Sequence, residues 1–223
     1  MQLDQAQRLD EILQTDGFFA RNCAALQKSK YPDHFAEAAE AEAVAVQIRE
    51  YAPQLIPGIL QTRPYARAVF RAYQPTAPDE VIDELVEARL DRGRLLADPT
   101  TPMLWVVLDE AVLRRKTGSQ AVMAEALGYL ADLASKHRLI VQVLPFDAGA
   151  HAALSGPLKL MSFHDAPPLA YLQGLGTGQL QDDPATVRQY ELTYDLLTAS
   201  AMPPDASLAM IQSVSEGYAR EGL

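Results

Sequence analysis

With 223 residues, 48% of them apolar and 22% charged, the chain has the makeup of a globular protein with one large domain, or a small domain and a larger one. Its formal charge of −10, from 29 acidic against 19 basic side chains, opposes direct binding to a nucleic-acid backbone. A single cysteine, Cys23, excludes an intrachain disulfide and a multi-cysteine metal site, and no apolar run of about 18 residues or basic-then-apolar start marks a membrane span or export signal, so the cytoplasm is the expected compartment.

In chain order, apolar residues at 3, 6, 9 and 13 predict a helix over Leu3–Leu13, with Gly17 as its stop. A short helix is expected over Phe18–Gln27, with Cys23 inert on its apolar face, and a longer one from Asp33 to about Glu50. Pro53 and Pro57 exclude a continuing helix, and Gly58 permits backbone geometry that other residues resist. Thr62 and Pro64 then suit the start of a helix to Tyr73, so an apolar turn is expected between two helices. Asp79 opens a helix to about Ala97, with acids near its start and arginines near its end as the helix dipole favours.

The character changes at Asp98–Pro102. Met103–Leu108 and Leu139–Leu144 read as buried strands flanking a helix over Ser119–Lys136, a pattern that predicts a right-handed parallel crossover. Leu158–Phe163 and Leu169–Leu172 read as two more strands, followed by helices over about Pro184–Ala201 and Asp205–Tyr218. Gly174-Leu-Gly-Thr-Gly178 reads as a flexible loop, because no lysine follows at P-loop spacing. The expected fold is α+β: a helical N-terminal half, a small mixed sheet of about four strands with a crossover helix, and C-terminal helices.

Several side chains are candidates for chemistry. Glu42 shares a helical face with Phe35, Ala38, Ala45 and Val46, so it should be partly buried and need a donor. Arg49, Arg67 or Arg89 could supply one, and a structural ion pair outweighs a catalytic acid. Glu110 ends a strand, where it could cap a helix, pair with Arg114 or line a cleft. Asp147 and His151 lie four apart after a strand, yet His34, His137 and His164 offer no third ligand in a recognisable motif, so no metal site is expected. Trp105, Phe146 and Tyr171 would form one apolar wall if the strands pair as proposed. Neither a nucleophile elbow nor a Ser/His/Asp signature is visible, and no cofactor motif appears.

The motifs together carry a resemblance. They are Glu42-x-x-Ala45-x-x-Ile48-x-x-Tyr51-x-Pro53, the block Leu55-Ile-Pro-Gly-Ile-Leu-Gln-Thr62 with Tyr65-Ala-Arg-Ala68, Ala88-Arg-Leu90, the run Trp105 to Arg115, Val143-Leu-Pro-Phe146, and the run Ala148 to Leu154. From about Gln2 to Ile211 the chain resembles the C-terminal effector domain of actinobacterial XRE-type helix-turn-helix regulators of the antitoxin-like group. The resemblance implies that residues 1–16 are the last helix of a DNA-binding head whose recognition helix is missing. Residues 17–223 would be the effector domain, helical over 17–98 and sheet plus helices over 99–223.

On that basis the chain is expected to bind a small partner protein or a small-molecule effector, with no DNA readout of its own and with homodimerisation open. An exposed apolar patch of Leu55, Ile56, Ile59 and Leu60 would face the partner, and Arg49, Arg67, Trp105, Phe146 and Tyr171 would contact a ligand. Gly93, Ala126, Gln173 and Leu158 depart from the family's usual polar or bulky residues. Those departures leave a second expectation: a cofactor-free enzyme or small-molecule-binding protein of secondary metabolism, guiding a cyclisation or rearrangement. Its cleft would be lined by Trp105, Glu110, His151 and Tyr171, with Glu42, Glu110 and His151 as acid/base candidates.

Overall fold

The computed structural model describes residues 3–13, 15, 33–97 and 102–221. The expected helix over Phe18–Gln27, with Cys23, and most of the Asp98–Pro102 boundary lie outside them.

The fold is α+β around one mixed sheet of six strands: β1 (Gln47–Ala52), β2 (Met103–Asp109), β3 (Ile140–Leu144), β4 (Leu158–Ser162), β5 (Leu169–Gly174) and β6 (Thr177–Gln181). Their spatial order is β3-β2-β1-β4-β5-β6. β1 pairs in parallel with β2 and β2 with β3, while the β1–β4, β4–β5 and β5–β6 pairs are antiparallel. The helices are α1 (Leu3–Leu13), α2 (Asp33–Val44), α3 (Arg63–Tyr73), α4 (Asp79–Gly93), α5 (Glu110–Arg114), α6 (Gln120–Ser135), α7 (Pro184–Ser200) and α8 (Pro204–Glu221).

Two strands correct the sequence reading. The expected sheet of about four strands has six, and the N-terminal half is not wholly helical, because α2 stops at Val44 and the chain enters β1. β1 is the third strand from the β3 edge, paired on both sides. Its side chains alternate, with Ile48 and Ala52 in the core on one face and Tyr51 in the core on the other. The Tyr51–Thr62 turn therefore joins a strand to α3 and does not link two helices. β6 is the second correction. The supposed Gly174–Gly178 loop is a hairpin, with Gly174 opposite Thr177 and Leu175-Gly176 as its two-residue connection. Gly176 has φ of +68°, which a glycine adopts without penalty.

Strand alternation gives the sheet two unequal faces. On the first, Ile48, Leu104, Val106, Leu108, Val141, Val143 and Met161 pack with Phe35 and Ala38 of α2, Met123, Leu127 and Leu130 of α6, and Ile211 of α8. Ser215 of α8 donates its Oγ hydrogen to the Ala124 carbonyl of α6 at 2.9 Å, stitching those helices together. On the second face, Tyr51, Val107, Leu144, Leu158, Leu160 and Ala170 pack against Val187, Tyr194 and Leu197 of α7. α3 and α4 form a side unit around Ala66, Ile82 and Val86. Their outer surfaces are zipped by Arg63–Glu87, Arg67–Asp79, Arg67–Asp83 and Arg71–Asp79 pairs. Among the described residues no helix is long and apolar enough to cross a membrane.

Candidate functional site

The Leu55–Thr62 block is folded from within. The Ile56 amide donates to the Tyr65 hydroxyl at 3.2 Å, Gln61 Nε2 donates to the Ile56 carbonyl at 2.7 Å, and Arg89 Nη1 donates to Gln61 Oε1 at 2.9 Å. These bonds turn Ile56, Ile59 and Leu60 inward, at 0%, 1% and 0% exposure, and only Leu55 is exposed. The expected partner patch of Leu55, Ile56, Ile59 and Leu60 is thus mostly core, because apolar side chains pinned between two prolines had more surface to bury inside than outside.

Gly58 in this block lies so close to α4 that an added Cβ would sit 3.1 Å from Arg89 Cδ and 3.2 Å from Arg92 Nη1. That approach leaves Arg92 room to reach a buried charge cluster on the first face. Glu42, in the last turn of α2 and 1% exposed, accepts from Arg92 Nε at 2.9 Å and Nη2 at 2.6 Å through Oε2. Its Oε1 accepts from Lys159 Nζ of β4 at 2.6 Å. Lys159 stands opposite Glu50 of β1 in the sheet, and its Nζ lies 3.0 Å from Glu50 Oε2, an ion pair without hydrogen-bond geometry. The Phe35 ring lies 4.2 Å from the Arg92 guanidinium carbon, and Tyr171 meets Phe35 edge-on at 5.6 Å.

Two carboxylates and two cations thus form a balanced quartet. Burial alone would raise the Glu42 pKa, but Lys159 and Arg92 together outweigh it and lower it to about 2. Burial pulls Lys159 down while Glu42 and Glu50 push it up, and the net direction is up. Both groups are charged at neutral pH. The partners of Glu42 are therefore Arg92 and Lys159, not the expected Arg49, Arg67 or Arg89. Arg67 sits on the surface in the α3–α4 zipper.

Arg49 faces the opposite way. It reaches Glu191 at 3.0 Å and Asp195 at 3.4 Å on α7 and lies over the Tyr194 ring at 5.5 Å. Tyr194 donates its hydroxyl hydrogen to the Trp105 carbonyl at 2.9 Å, and the two rings meet edge-on. Burial pushes the Tyr194 phenol far up, so it stays protonated as that donor. Trp105 Nε1 donates to Gln142 Oε1 at 2.8 Å, and Gln142 Nε2 donates to the Met202 carbonyl at 2.9 Å. Arg49 and Trp105 thus fasten α7 to the sheet.

A third group stands at the carboxyl ends of β1 and β2, where open sheets with parallel strands commonly hold ligands. Tyr51 donates its hydroxyl hydrogen to Asp109 Oδ2 at 3.3 Å, and the Tyr51 hydroxyl oxygen lies 3.4 Å from His151 Nε2 on the β3–β4 connection. Burial and then Asp109 push the Tyr51 phenol far up. His151 Nδ1 is buried without a hydrogen-bond partner. Asp109 Oδ1 caps α5 by accepting from the Ala111 amide at 2.8 Å. Glu110 accepts from Arg114 Nε through Oε1 and from the Phe146 amide through Oε2, both at 3.1 Å.

Of the expected site residues, only Glu110 and His151 belong to this end of the sheet, with Phe146 beside them and largely exposed. Trp105 lies under α7, and Tyr171 and Glu42 lie on the other face, so the supposed apolar wall and single cleft are not formed. The sheet separates their side chains. Sequence reasoning missed Tyr51, Asp109, Lys159 and Arg92. The first two had a signal, in the Tyr51-x-Pro53 motif and in an aspartate ending an apolar strand at a helix start.

A family model described as Domain of unknown function (DUF5753) matches residues 35–213. No curated protein and no solved structure matches the chain.

Proposed function

From the premise that the chain belongs to the family described as Domain of unknown function (DUF5753), we propose that it is the regulatory domain of an XRE-type helix-turn-helix transcriptional regulator, binding a partner protein or a small effector. It reads no DNA itself and acts in the cytoplasm. The observation that carries this reading is the state of Glu42. Among the described residues the most deeply buried carboxylate, Glu42, has both oxygens committed to cations and a pKa lowered to about 2. Such a group neither delivers a proton at neutral pH nor serves as an effective base, which favours a scaffold over an acid/base catalyst.

The Tyr51–Asp109–His151 corner supports a second reading, a cofactor-free enzyme of secondary metabolism. A phenol between a carboxylate and an imidazole can position or relay a proton. One experiment separates the two. The tagged chain is recovered from a native host, and bound proteins and small molecules are identified by mass spectrometry. A stoichiometric partner, or a ligand released chemically unchanged after prolonged incubation, is the expected result. Turnover of that molecule by the purified protein, abolished in His151→Ala, would instead establish the enzyme.

A further inference from the structure

We propose that α7 is a self-association surface, on which a second copy of this chain packs its own α7 antiparallel across a two-fold axis near Leu192. Among the described residues α7 alone supplies the α-helical core contacts on the second face, and its outer side is not inert. Leu192 and Leu196 are 57% and 53% exposed and stand one turn apart, with Arg188 and Asp195 exposed beside them. Met103 and Ile140, at the start of β2 and β3, point to the same side of the sheet as Trp105 and are also exposed.

The charge pattern selects the occupant. At about 100° per residue, Arg188 lies about 40° and Asp195 about 60° to the same side of Leu192. Along the axis, Arg188 is about 6 Å before Leu192 and Asp195 about 4.5 Å after it. A two-fold axis perpendicular to the helices at Leu192 reverses the axial order and preserves the side. It therefore sets Arg188 of each copy against Asp195 of the other and Leu192 against its own image, an isologous and self-complementary arrangement. A parallel pairing would oppose like charges. Glu191 and Asp195 both reach Arg49 of their own chain, at 3.0 and 3.4 Å; Glu191 lies off the stripe, while the Asp195 side chain, 67% exposed, keeps a face open to the Arg188 of a second copy.

Sedimentation equilibrium of the full chain, from low to high micromolar concentration, tests the proposal. The wild type is expected to dimerise. R188E and D195R should each raise the dissociation constant about tenfold or more by opposing like charges across the axis. The double variant R188E/D195R should recover the dimer. Mixing the two single variants should also give a heterodimer, since both contacts then join unlike charges. That rescue distinguishes a lost interface from a misfolded chain. A wild type monomeric throughout, single variants that dimerise like the wild type, or failure of both rescues would each overturn the proposal.

Discussion

The two faces of the sheet solve one problem, holding a cation of the central strands against helical carboxylates, at different depths. On the first face Lys159 is held with Arg92, Glu42 and Glu50, and each charge needs the others because little water reaches them. On the second, Arg49 meets Glu191 and Asp195 at the rim of α7, where solvent screens the attraction. The buried cluster is thus costly to break and rigid, whereas the rim contact is cheap and adjustable. A helix held by rim contacts and aromatic packing is the better place for a domain to register a partner, and the quartet the better place to keep its frame.

The comparison breaks most sharply at Glu42. Replacing it by alanine leaves Arg92 and Lys159 without their shared carboxylate. The variant should lose about 3–5 kcal/mol in urea unfolding, a large part of a domain's stability. A variant that unfolds like the wild type would show that water, not Glu42, satisfies those cations.

Acid should erode the same face. The Glu42 pKa is lowered from 4.5 to about 2 on folding, so its contribution is fully present above pH 4.5 and is lost as pH falls towards 2. The gap in urea midpoint between wild type and Glu42→Gln should stay constant from neutral pH down to that point and then narrow. A constant gap through the window would contradict an ionised Glu42.

On the other face, Tyr51→Phe removes one hydroxyl from between Asp109 and His151 while keeping the packing, and should cost about 1 kcal/mol. Smallest of all, Arg49→Met should cost under about 1 kcal/mol in unfolding, with part of that difference vanishing at high salt. An Arg49 variant as damaging as the Glu42 one would erase the proposed contrast between the faces.

Much of this architecture was legible in the sequence. The crossover unit, both tail helices and the start of α3 fall within a few residues of expectation, because they carry long periodic patterns and strong breakers. β1 was not legible. Ile48 and Tyr51 continue an Ala- and Glu-rich helix at helical spacing, and the alternation that marks a strand spans only six residues. β6 holds a single large apolar residue, Leu180, and its pairing comes from the hairpin with β5. The error at β1 propagated to the site. With Arg49 placed on a helix near Glu42, the two seemed able to pair, whereas strand alternation sends Arg49 to the opposite face. Lys159 and Arg92 could not be named as partners of Glu42 because they lie 117 and 50 residues away, brought in by sheet register and by the close approach at Gly58.

The adjacent pair Arg49–Glu50 also proofreads the assembly of the sheet. A slip of β1 by one residue against its neighbours would exchange its two faces. A slip one way would put Arg49 in the place of Glu50, beside Lys159, and a slip the other way would put Glu50 in the place of Arg49, beside Glu191 and Asp195. Either slip sets like charges together, so misthreading is penalised in both directions, while the correct register satisfies both residues. Two consecutive letters of opposite sign act as a checksum on a strand whose short apolar pattern would otherwise specify its alignment weakly.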